Sequence, residues 1–100
     1  MKKLSKSISS LDVTDLFDQS EWDNGGGPLS DESLQSLGLE DITGSHIALS
    51  EYCGLGDVGG FYRATDGSYW RADFFPGDEV ILNQISAEEI EKIKEDYEEQ

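Results

Sequence analysis

Positive charge is scarce in this chain. Lysine and arginine together number 7 against 22 aspartates and glutamates, giving a formal charge of −15 over 100 residues. Such a chain has few cations with which to displace counterions from phosphates, so direct binding of DNA, RNA or an anionic membrane is all but excluded. Cysteine is limited to Cys53, which rules out an intramolecular disulfide and a cysteine zinc cage. No apolar run approaches the ~20 residues of a membrane helix. Met1-Lys2-Lys3-Leu4-Ser5-Lys6 opens like a signal peptide, but Ser5, Ser7, Ser9, Ser10 and Asp12 interrupt any apolar h-region. A cytoplasmic location is therefore expected, where a lone thiol is ordinary.

What is present is enough for one small acidic domain over residues 1–100. Apolar residues make up only 36%, yet aromatics reach 10% and most lie between Tyr52 and Phe75, which argues against full disorder. The charge is unevenly placed: residues 1–10 carry +3, whereas residues 11–41 hold nine acids and no base. Self-repulsion at this charge predicts that moderate salt stabilises the fold. The order of residues 1–8 is left open, and no internal repeat is evident.

The expected fold is α+β, with two N-terminal helices and one C-terminal helix around a small antiparallel sheet. Val13, Leu16 and Phe17 have i, i+3, i+4 spacing and predict a helix over 9–19, capped by Ser9 or Ser10. Asp12, Asp15 and Asp18 would then share another of its faces. Residues 23–28 read as a flexible Gly-Pro loop. Ser30, the Leu29–Leu34 staple and Gly38 bound a second helix over 31–37. Residues 45–53 fit a strand or a two-turn helix capped by Ser45. Asp66-Gly67 predicts a two-residue hairpin with Ala64 opposite Tyr69, Arg63 opposite Trp70 and Tyr62 opposite Arg71. Trp70, Ala72, Phe74 and Phe61 would line its buried face. Val80-Ile81-Leu82 starts a third strand of a meander. Ser86-Ala87-Glu88-Glu89 is a capping box for a helix over 87–98, with Ile85 and Ile90 as staple and Ile90, Ile93 and Tyr97 as packing stripe. Glu88–Lys92 and Lys92–Asp96 are spaced for ion pairs.

Motifs that suggest chemistry are out of context. Gly54-Leu55-Gly56-Asp57-Val58-Gly59 matches G-x-G-x-x-G, but a strand rather than a helix is expected to follow, and Asp57 would repel a pyrophosphate. Cys53 with His46 could form a nucleophile–base pair only in an electropositive setting, and here the neighbours are acids. Asp23-Asn24-Gly25-Gly26-Gly27 lacks the ligand spacing of a calcium loop. No catalytic residue, cofactor or metal site is expected, and the chain reads as a non-enzyme.

The acid distribution is the strongest signal. Solubility accounts for a charge of magnitude ~2–8, and −15 exceeds that. On a helix, Asp12, Asp15 and Asp18 would recur every ~4.5 Å of axis, comparable to the ~3.4 Å between phosphates of one DNA strand. Such rows on a folded scaffold could occupy a basic groove meant for nucleic acid. The expected partner-binding residues are Asp12, Asp15, Asp18, Glu21, Trp22, Asp23, Asp31, Glu32, Glu40 and Asp41, with Tyr62 and Tyr69 as exposed aromatics. The expected partner is a basic protein, such as a nucleic-acid-binding enzyme or effector complex.

In size and charge the chain resembles the phage-encoded DNA-mimic inhibitors: anti-CRISPR proteins, anti-restriction proteins and uracil-DNA glycosylase inhibitors. The resemblance is compositional. It implies steric and electrostatic occlusion of a basic site, without turnover, in the service of host-defence evasion. Two other readings share the composition: an immunity or antitoxin-like protein that neutralises a basic toxin enzyme, and an acidic housekeeping domain with no charged partner.

Overall fold

Ser30 starts helix α1 (Asp31–Leu37) as the sequence predicts: its hydroxyl accepts from the Ser33 amide at 3.3 Å. Gly38 ends the helix in the left-handed region at φ 72°, with its amide donating back to Gln35 and Leu34. The chain is described here by a computed structural model, which covers residues 7–20, 28–53, 58–75 and 79–98, the last without the side chains of Tyr97 and Glu98. The questions raised by residues 1–6, the loop over 23–27, Gly54 to Asp57 and the Tyr97 side chain lie outside the described residues.

Five strands follow from the remaining segments: β1 (Ser10–Asp12), β2 (Leu39–Asp41), β3 (Val58–Ala64), β4 (Tyr69–Phe75) and β5 (Glu79–Ile85). They form one antiparallel sheet in the order β1-β5-β4-β3-β2. The expected meander is its centre, and two short edge strands extend it. Helices α2 (Ile47–Cys53) and α3 (Ala87–Glu98) complete the α+β fold. The ambiguity over residues 45–53 resolves as helix. Its cap is His46 rather than Ser45: the Nδ1 of His46 accepts from the Ala48 amide at 3.1 Å.

The expected helix over 9–19 is not formed. Its first residues are strand β1, paired with β5 through Leu11 and Leu82, and Thr14–Leu16 make a 3-10 turn. The apolar residues of the supposed stripe are still used: Val13 is buried, and Leu16 and Phe17 pack on the same cluster. Sheet pairing to β5 and the Asp12–Thr14 turn outweigh a weak helical pattern.

The hairpin is present, but its register is shifted by one residue. Tyr62 pairs with Trp70, Phe61 with Arg71 and Arg63 with Tyr69. The loop is Thr65-Asp66-Gly67: the Gly67 amide donates to Ala64 O at 3.0 Å, Gly67 has φ 88°, and the Ala64 amide donates to Ser68 O. This is a turn closed by a left-handed glycine, the three-residue hairpin geometry. The Asp66 carboxylate holds it by accepting from the Ser68 amide and hydroxyl, and Ser68 Oγ accepts in turn from the Trp70 indole at 2.9 Å.

A one-residue slip exchanges sheet faces. Tyr62, Trp70 and Ala72 therefore lie against α1 with Leu34, Leu37, Val80 and Leu82. Phe61 lies on the opposite face with Leu49 of α2 and Ile90 of α3, not beside Trp70 as expected. A bulge between Val58 and Gly60 turns both Gly59 and Gly60 toward the α1 side. A Cβ on Gly59 would sit 2.8 Å from the Phe74 ring, and one on Gly60 2.8 Å from the Tyr62 hydroxyl, so both rings need bare backbone there. The sheet is thus covered on two faces, and each fully buried large side chain contributes about 1.5–3 kcal/mol.

The C-terminal helix follows its sequence. Ser86 Oγ accepts from the Glu89 amide at 3.1 Å, and Ile90 and Ile93 pack with Ile85. Its ion pair among the described residues is Lys94–Glu91 at 3.9 Å, in place of the two pairs expected for Lys92.

Candidate functional site

Antiparallel pairing sends β1 and β4 in one direction, so Asp12 and Phe75 finish at the end of the sheet where β3 and β5 begin, whereas Asp41, paired with Tyr62, lies on the opposite edge toward the hairpin end. Helix α1 starts at this end too. Phe17 bridges Leu29, Pro28 lies against Gly59, and at the far end of the helix Gly38 O accepts from Thr65 in the hairpin loop. The topology therefore brings together Asp12, Asp15, Asp31 and Glu32, which the sequence had singled out, and leaves Asp41 apart from them. It adds Asp73 and Glu79, which it had not. By register the base among them is Arg71, and Asp73 already holds it: Nε donates to Oδ1 at 2.8 Å, while Asn83 Nδ2 donates to Oδ2 at 2.7 Å. Glu89 of α3 approaches the same guanidinium at 3.8 Å.

Several expected site residues are placed differently. Asp12, Asp15 and Asp18 do not form a helical row: Asp12 ends a strand, Asp15 lies in the 3-10 turn, and half-buried Asp18 follows it with its amide bonded to Pro28 O. Tyr62 is 1% exposed and cannot meet a partner. The register shift is the cause, since it turns Tyr62 under α1. Tyr69 is half-buried against the α3 cluster. Glu40 is exposed on the β2 edge opposite Arg63, beside an open groove also lined by Gln35 and Thr65. Glu21, Trp22 and Asp23 lie outside the described residues.

A helical row of carboxylates does exist, on α3. Glu88, Glu91 and Glu95 are exposed and spaced three and four residues apart, so they share the outer face of that helix. The same spacing rule that misled at 9–19 would have found it.

The local electrostatics favour charge rather than chemistry. The amide and hydroxyl of Thr14 both donate to Asp12 Oδ1, at 2.9 and 2.6 Å. That hydrogen bonding holds the Asp12 carboxyl below its ordinary value. Burial, with Asp41 nearby, pushes the Cys53 thiol up to about 11, the reverse of what a nucleophile needs. The Nδ1 of His46 is engaged in capping α2. The element that follows Gly54-Leu55-Gly56-Asp57 in the chain is a strand, β3, rather than the helix that a dinucleotide motif precedes. Among the described residues no three His, Cys, Asp or Glu side chains come close enough to hold a metal ion, and no helix is long and apolar enough to cross a membrane.

Comparison of the chain with protein-family models, with curated proteins and with solved structures found no match.

Proposed function

We propose that this chain is a non-enzymatic acidic binding protein that covers a basic, nucleic-acid-binding site on a partner protein. The observation that carries the reading is the convergence of Asp12, Asp15, Asp31, Glu32, Asp73 and Glu79 at one end of the sheet, where the nearest base by register is already neutralised by Asp73. Carboxylates mounted on strand ends and on a helix start lose little freedom on binding, which lowers the cost of association. Their summed field steers a cationic partner inward.

Affinity capture from a bacterial lysate, followed by displacement with duplex DNA, tests the proposal. The expected result is capture of basic nucleic-acid-binding proteins that DNA releases, and that about 1 M NaCl also releases, because the screening length there is ~3 Å. Retention at that salt, or capture of uncharged or acidic proteins, overturns it. A single cognate enzyme that DNA does not displace would instead favour the immunity-type reading.

A further inference from the structure

On the α2–α3 side of the sheet the two helices cover Val58, Phe61, Tyr69 and Ile85. Among the described residues no helix covers the rest of that side, on β1, β5 and β4. Strand alternation fixes what it displays. Leu11, Trp70, Ala72, Val80 and Leu82 pack toward α1. Asp12, Asp73, Phe75, Glu79 and Ile81 therefore face the other way. Asp12, Ile81 and Asp73 lie in one cross-strand row, with Glu79 and Phe75 paired in the next. Neighbouring strands are ~4.8 Å apart, which puts Asp12 and Asp73 ~10 Å from one another across Ile81.

Phe75 is 46% exposed, and with Ile47 it is one of two large apolar side chains left so among the described residues. By register Phe75 is paired with Glu79, and Asp12 lies two strands across and one row back, both carboxylates with capacity to spare. Asp12 uses Oδ1 for Thr14 and keeps Oδ2. Glu79 makes no hydrogen bond or ion pair among the described residues. Asp73 is a fixed wall, with both oxygens occupied.

We propose that this uncovered face, with Phe75 as its anchor and Asp12 and Glu79 as its charges, docks an arginine-bearing surface of a partner protein. The inference rests on the function proposed above and adds where contact is made and with which cation. An apolar partner would strip water from Asp12 and Glu79 without replacing it, at a cost. A second copy of this acidic chain would set like charges together. Guanidinium groups satisfy both demands: one stacks on the Phe75 ring and presents N–H groups to the paired Glu79, which an ammonium cannot do, and a second on the same surface meets Asp12.

The test uses fluorescein-labelled nona-arginine and nona-lysine peptides, with anisotropy titrations at low salt against the full chain. The arginine peptide is expected to bind about 3- to 10-fold more tightly than the lysine peptide. Phe75→Ala, and separately Asp12→Asn with Glu79→Gln, should each remove that preference and weaken arginine binding by a similar factor. Phe75→Leu keeps an apolar side chain in β4, and it should lose the preference too. The control Glu88→Gln with Glu91→Gln and Glu95→Gln removes more charge from the outer face of α3, yet should change binding less than twofold. Equal binding of the two peptides, an α3 control that weakens binding as much as the face variants, or self-association of the chain through this face overturns the inference. Wild-type binding to both peptides with unaltered face variants defeats this inference alone. Failure of the wild-type chain to bind either peptide defeats the proposed function along with it.

Discussion

The two edges of the sheet end in the same way and do different things. Strand β1 finishes in Asp12-Val13-Thr14 and β2 in Asp41-Ile42-Thr43. In each, the aspartate accepts from the threonine amide, at 2.9 and 2.8 Å. In each, the aliphatic amide makes the last ladder bond, Val13 to Val80 O and Ile42 to Phe61 O. In each, the threonine hydroxyl accepts from the neighbouring strand, from Val80 at 3.0 Å and Phe61 at 2.9 Å. Each strand is three residues long and then turns away, a recognised way to blunt an exposed edge. The difference lies in the neighbours. Thr14 gives its own proton to Asp12, whereas Thr43 gives its proton to the Phe61 carbonyl. The β2 edge packs against α1, and the chain leaves it through the 3-10 turn at Thr43–Ser45 into α2. The β1 edge borders the open face around Phe75. One local device, placed beside covered and uncovered sheet, ends pairing at one edge and borders a binding surface at the other.

The strongest test of that equivalence is to remove each threonine hydroxyl. Thr14→Val and Thr43→Val should each destabilise the fold by about 1–3 kcal/mol, because an inter-strand amide loses its acceptor. Urea denaturation measures both, and Thr→Ser should restore most of the loss. A cost at one edge alone would break the comparison. Next, Gly60→Ala should cost about 1–3 kcal/mol, since its Cβ would press on the buried Tyr62 hydroxyl at 2.8 Å and approach Thr43 Oγ1 at 3.2 Å. Gly44→Ala meets nothing within 4 Å and should be neutral or slightly stabilising, as read by thermal melts.

Acid sharpens the contrast further. The folded Asp12 carboxyl lies below its ordinary 3.8, so its contribution is present above that value and is lost as the pH falls through the lower, folded one. Asp12→Asn should flatten this part of the acid-denaturation curve. An unchanged curve would remove the role given to the Thr14 hydrogen bonds. The smallest effects belong to exposed acids away from these turns. Glu79→Gln and Glu40→Gln should leave stability within about 0.5 kcal/mol, so any loss of binding in Glu79→Gln reports contact rather than folding.

Much of the fold was legible because its signals were local and strong. Ser30 and Gly38 bound α1, Ser86 caps α3, and Asp66-Gly67 marks a hairpin. The failures came from short-range ambiguity. Val13, Leu16 and Phe17 fit a helix, yet Leu11 pairs with Leu82 across some seventy residues, and no local pattern carries that information. Asp66-Gly67 serves a two- or a three-residue loop equally well, and the choice moved Tyr62 indoors and Phe61 to the opposite face. The repeated Asp-aliphatic-Thr endings are too short to register as a repeat. Of the site, Asp12, Asp15, Asp31 and Glu32 were legible as charge. Phe75, Asp73 and Glu79 were not, because only the sheet order puts them on one face with Asp12 of β1.

The Tyr62 hydroxyl is sealed beneath Gly60 with no hydrogen-bond partner among the described residues, and burial raises its ionisation beyond the ordinary range of a phenol. In strong alkali its proton is retained until the sheet opens. The ring therefore serves as an internal optical clock: after a jump to high pH, the phenolate band from Tyr62 should grow at the rate of global unfolding.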